Sequence, residues 1–166
     1  MNERVPPEDL GEPDLKVAGF QLWVHGRQFP ESQDYYDGNW LRVTAHCGRL
    51  GASVWAQGAI LMVTDIAGFG DQCAAILERK TKSATLDSFE PELKVSLETA
   101  DRLGHIRTQI KITPDNLAQS HWFEFEVERS ARLNPKLRAL ESFLLLLSKG
   151  SAANPCLRAS TEHRLI

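Results

Sequence analysis

From Ile106 to Ile112 the chain alternates with a period of two, with Ile106, Thr108, Ile110 and Ile112 on one side and Arg107, Gln109 and Lys111 on the other. Successive side chains of a strand point to opposite faces, so this pattern describes a strand with one buried and one wet face. The alternation recurs where Leu93, Val95 and Leu97 interleave with Lys94, Ser96 and Glu98, and again where Phe123, Phe125 and Val127 interleave with Glu124, Glu126 and Glu128. Parallel sheets are covered on both faces and read as continuous apolar runs. Repeated half-buried strands therefore predict an antiparallel sheet.

The remaining segments fill in the order. Leu15 to Val24 predicts a first strand whose alternation slips at Ala18-Gly19, as at a bulge or an uneven strand start. Trp40 to Cys47 and Ala52 to Met62 follow, joined by the turn Gly48-Arg49-Leu50-Gly51, and strands resume from Ser83. Between them Ile66, Phe69, Cys73, Ile76 and Leu77 recur at the spacing of one helix face. Thr64 or Asp65 is placed to cap that helix, which is expected to end near Arg79. Gly68 and Gly70 weaken its first turns by about 1 kcal/mol each against alanine. Asn134-Pro135 supplies a cap and a first-turn proline for a closing helix with the stripe Leu137, Leu140, Leu144 and Leu147, stopped at Lys149-Gly150. The expected fold is α+β. It has an antiparallel, curled or sandwich-like sheet of about seven strands, one helix inserted after the third strand and one C-terminal helix. Residues 1–14, rich in proline and acid, read as a flexible N-terminal arm, 15–148 as a single α+β domain and 149–166 as a flexible C-terminal tail.

Several function classes lose support. A net charge of −3 gives no sign of the basic face of a nucleic-acid binder. The longest strongly apolar run, Phe143 to Leu147, is too short to span a bilayer, and the first residues lack the apolar core of a signal peptide. Cys47, Cys73 and Cys156 are an odd count without metal-ligand spacing and read as reduced thiols, which points to a cytoplasmic protein. His25, His46, His105, His121 and His163 stand outside any zinc spacing and read as structural or solvated. No nucleophile motif occurs, and Gly68-Phe69-Gly70 is not followed by the Gly-Lys-Ser/Thr of a phosphate loop. No catalytic residue, cofactor or metal is expected.

Two surface features exceed what folding requires. Asp37-Gly38-Asn39 is turn chemistry, but Asp34, Tyr35, Tyr36 and Asp37 crowd acids and aromatics into one loop before a strand. Tyrosine offers large contact area at low entropic cost, so the group reads as partner-binding. Glu124, Glu126 and Glu128 project from one strand face as a row of like charge. They suit either a solvated, aggregation-resistant edge or a patch that steers a basic partner.

Asp34, Asp37-Gly38-Asn39-Trp40-Leu41 with Val43, the Ile66 to Leu77 helix, Glu92-Leu93-Lys94-Val95, Phe123-Glu124-Phe125 and the Leu133 to Leu137 segment occur in an order that resembles the WapI-type immunity proteins of bacterial toxin systems. The resemblance spans roughly residues 15 to 148 and leaves out the N-terminal arm and the tail. It implies a cytoplasmic, non-catalytic protein that binds a cognate toxin domain and blocks it, with no nucleic-acid or membrane partner. The toxin surface expected to meet these acids is basic. The alternative is a small-molecule binding or accessory domain using the concave face of the sheet.

Overall fold

The computed structural model describes residues 10–128. Strands β1 (Leu15–Val17), β2 (Phe20–Arg27), β3 (Trp40–Arg49) and β4 (Ala52–Met62) lead into helix α1 (Val63–Leu77). After it come β5 (Ser83–Asp87), β6 (Leu93–Thr99), β7 (His105–Ile112) and β8 (His121–Glu128). The expected first strand is two strands. Ala18 takes a left-handed φ of 52°, and the chain folds back so that Val17 lies opposite Phe20. A one-residue slip in alternation looks the same in sequence whether the chain bulges or turns, and here it turns. The helix therefore follows the fourth strand rather than the third. The expected closing helix from Asn134 lies outside the described residues.

All neighbouring strands are antiparallel, and they form two four-stranded sheets, β1-β2-β3-β4 and β5-β6-β7-β8. The sandwich alternative is the one realised: the inner faces share one buried cluster. Phe20, Leu22, Leu41, Val43 and Ala45 come from the first sheet; Leu86, Val95, Leu97, Ile106 and Ile110 come from the second. Helix α1 carries the chain between the sheets and adds Ile66, Phe69, Cys73 and Ile76 to the same core. Cys47 and Cys73 are free and buried on apolar faces, and burial pushes both thiols up to about 12. That makes them inert as nucleophiles.

The helix ends are closed differently from the sequence expectation. The residue preceding the helix is Met62, and Asp65 reaches back from within the first turn to accept the Met62 N–H at 2.8 Å. At the other end Arg79 takes φ 61°; its N–H donates to the Ile76 carbonyl at 3.0 Å, and that of Lys80 to Ala75 at 2.8 Å. This is the glycine-type helix stop carried by an arginine.

One corner locks the sheets together. A Cβ built on Gly19 would lie 2.4 Å from the Gly48 carbonyl oxygen and 2.5 Å from the Phe125 ring, so only glycine fits. Arg49 lies 5.3 Å from the centre of that ring and donates to the Glu124 carbonyl.

Ile110 is fully buried, and Thr108 beside it is equally buried with no hydrogen-bond partner for its hydroxyl among the described residues. Ile110→Ala is expected to lower unfolding free energy by about 2–5 kcal/mol in urea titrations. Thr108→Val, which removes an unsatisfied hydroxyl at constant volume, is expected to raise it by about 1 kcal/mol.

Candidate partner-binding surface

Residues 28–39 connect β2 to β3, and their side chains make the loop rigid. Asp34 Oδ1 accepts the N–H groups of Tyr36 at 2.8 Å and Asp37 at 3.1 Å, while its own N–H donates to Ser32 Oγ at 3.2 Å. A short 3-10 turn, Asp37–Asn39, follows. Asn39 is buried there, and its Nδ2 donates to the Tyr35 carbonyl at 2.7 Å. Gly38 is packed against Ser32: a Cβ on it would sit 3.1 Å from the Ser32 carbonyl oxygen. The Arg27 guanidinium donates to the Gly38 carbonyl, and desolvation pulls its pKa down from the ordinary arginine value. Gln28 N–H to the Trp40 carbonyl, 2.8 Å, closes the base.

On this frame Tyr35 and Tyr36 pack edge to face with ring centres 5.4 Å apart. They remain 42% and 59% exposed, and Phe29 on the same loop is also exposed. Asp34 is spent on loop geometry, whereas no hydrogen bond of the Asp37 carboxylate contributes to the frame described above. Trp40 is half-buried at the start of β3, opposite Met62.

The glutamates lie elsewhere. Glu124 is tied through its carbonyl to Arg49, at the far end of β3 from the tyrosine loop. A ten-residue strand spans about 30 Å. The structure therefore does not bring the two sequence-predicted groups together. The glutamate row is also interleaved with other charges: Glu126 faces Arg107 in register, and Arg107 in turn faces Glu98. Gln109 Nε2 donates to Glu124 Oε2 at 2.9 Å.

Two further clusters had weaker sequence signals. On the outer face of the first sheet, Trp23, Trp55 and His46 stack in a row, with centres 5.9 Å and 4.1 Å apart. Trp55 Nε1 donates to Ser53 Oγ at 3.1 Å, and Ser53 lies 3.0 Å from His46 Nε2; Gln21 Oε1 lies 3.0 Å from Nδ1. This network suits a neutral imidazole protonated on Nδ1, in line with the lowering of the His46 pKa by burial. Trp23 is buried although it points outward, because Nε1 donates to the Gly11 carbonyl at 3.0 Å and the Val24 N–H donates to Asp14 Oδ2 at 2.7 Å. The second cluster surrounds Trp122, which shares the parity of Glu124, Glu126 and Glu128 and is 66% exposed.

Comparison with known proteins adds the decisive observation. The model of the immunity protein WapI-like family matches residues 14–144. This chain belongs to that family. No curated protein and no solved structure matches it. The WapI-like match covers both sheets, α1 and the tyrosine loop. Among the described residues no helix is long and apolar enough to cross a membrane.

The hairpin turn between β6 and β7 carries the clearest ionisable pair. Asp101 Oδ1 accepts the N–H groups of Leu103, Gly104 and His105, and Oδ2 lies 2.5 Å from His105 Nδ1. The hydrogen bond to His105 holds the Asp101 carboxyl down at about 2, and the same bond raises the His105 pKa. A raised histidine stabilises the fold fully below its unfolded pKa and loses that contribution as pH rises through the folded value. A depressed aspartate contributes above its unfolded pKa and loses it as pH falls toward about 2. The turn is thus held most firmly from about pH 4 to about 6.5. NMR titration is expected to place His105 above the ordinary histidine midpoint, and Asp101→Asn to bring it back.

Proposed function

We propose that this chain is a cytoplasmic, non-catalytic bacterial immunity protein that binds and neutralises a cognate toxin domain through the loop bearing Asp34, Tyr35, Tyr36 and Asp37. The observation that carries this reading is the exposed tyrosine pair held on a loop whose backbone is fixed by Asp34 and Asn39. Aromatic anchors that are rigid before binding lose little entropy on docking. Membership of an immunity family supplies the class of partner. Exposed Asp37 suits a basic toxin surface, where complementary charge speeds encounter. Glu124, Glu126 and Glu128 form a second, separate contact patch. The small-molecule alternative has less support, since the inner faces of the sheets are occupied by their common core.

Co-expression with the toxin-domain protein encoded beside this chain tests the reading. Cell survival with a co-purifying complex supports it, and death without a complex removes that toxin as the partner. Within a complex, Asp37→Lys is expected to cut the association rate about tenfold at low salt, with the difference shrinking at high salt. Tyr36→Ala is expected to act on dissociation, raising Kd by tenfold or more. Asp34→Ala is a control of another kind, because it releases the loop frame as well as a charge.

A further inference from the structure

The outer face of the second sheet holds a hollow of about 300 Å³ lined by Lys94, Ser96, Gln109, Ile110, Lys111 and Trp122. Its register is unusual. Lys94 pairs directly with Lys111 across β6 and β7, and Lys111 with Trp122 across β7 and β8. Like charges directly opposite each other destabilise a sheet. Asp87 takes up one of them, 2.5 Å from Lys94 Nζ, and sits opposite Lys94 on β5. Lys111 is left beside a tryptophan that is 66% exposed, the most exposed of the large aromatic rings on the described strands. With Lys94 paired to Asp87, Lys111 keeps its charge beside an uncovered indole.

Resting on the immunity-protein reading, we propose that this hollow is a second docking site, which receives an acidic side chain of the protein partner against Lys111, beside the Asp87-paired Lys94, while an adjoining part of the partner covers Trp122. The charges around it choose this occupant. Two residues along β7 the row Ser96, Gln109 and Glu124 carries one carboxylate, and two further the row holds Glu98, Arg107 and Glu126. Along the strand the lysine row is thus about 7 Å from Glu124 and about 14 Å from Glu98 and Glu126 on the same face. A polyanion such as a nucleic acid, charged at every step, would run from the lysines into the glutamates. A partner segment with an acid at one end and bases at the other matches both. Tryptophan and a desolvated cation are also the residue types that dominate protein interfaces.

The test uses the full chain and does not need the toxin. The hexapeptide Glu-Glu-Gly-Gly-Lys-Lys, whose extended length places its charges at the required separation, and single-stranded hexathymidylate are titrated at low salt while tryptophan emission is followed. Trp122→Phe identifies the part of the signal that comes from the hollow, and thermal unfolding verifies that each variant is folded. The expected result is a Trp122-dependent change with the peptide, weakened tenfold or more by Lys111→Glu, and a weaker response to the oligonucleotide. No Trp122-dependent response overturns the proposal, whether the hollow is unused or held by this chain's own residues beyond 128. Tighter binding of hexathymidylate than of the peptide overturns it as well. Where a toxin complex is in hand, Lys111→Glu is expected to weaken it by the same order. A positive peptide titration with no toxin complex sinks the assigned partner and leaves the site standing.

Discussion

The inner faces of the two sheets cannot be satisfied separately. Each four-stranded sheet has one apolar face, and α1 offers a stripe of Ile66, Phe69, Cys73 and Ile76 that needs cover. Packing them into one cluster removes all three faces from water at once, the non-directional driving force that dominates folding. It also decides what is left for function. With the inner residues committed to each other, the outer faces and the loops are left to meet another molecule, and there stand the uncovered aromatics Phe29, Tyr35, Tyr36, Phe89 and Trp122.

Much of this was readable in the chain. Alternation located β3, β6, β7 and β8, and helical spacing located α1, because burial on one face imposes a period whatever the neighbours are. What alternation cannot encode is which strand faces which, so the choice between a curled sheet and a sandwich waited for the structure. Ala18-Gly19 was misread for a related reason: a turn and a bulge shift parity alike, and Gly19 is required by a contact with Phe125 more than a hundred residues away. The cap was half right. Of the two expected caps, Thr64 and Asp65, it is Asp65 that bonds the helix start, and it does so from inside the helix on Met62, because side-chain reach is not visible in spacing alone.

The candidate surface divides in the same way. Asp34 through Asp37 stood out by composition, yet composition could not separate the roles of the two acids. Asp34 is used by the backbone of its own loop, and the hydrogen bonds to Tyr36 and Asp37 turn a polar loop into a fixed display of two rings. The glutamate row was equally plain in sequence, whereas its pairing opposite Arg107 and Gln109, which tempers its charge, belongs to register. Trp122 has the same parity as those glutamates, and its exposure follows from that register.

The distance between the tyrosine loop and the Glu124 end of β8 constrains any partner. A standard interface covers about 800 Å² on each side, a patch roughly as wide as the 30 Å length of β3. Such a patch centred on the loop extends only about 15 Å from its centre and stops short of Glu124 at the other end of β3, two residues along β8 from Trp122. Binding energy concentrates in the desolvated centre, while charges at the rim act mainly on encounter. The two aromatic groups therefore cannot both be the energetic centre of one compact interface. Either one anchors and the other steers, or the partner is extended enough to wrap the sandwich from one end of β3 to the other.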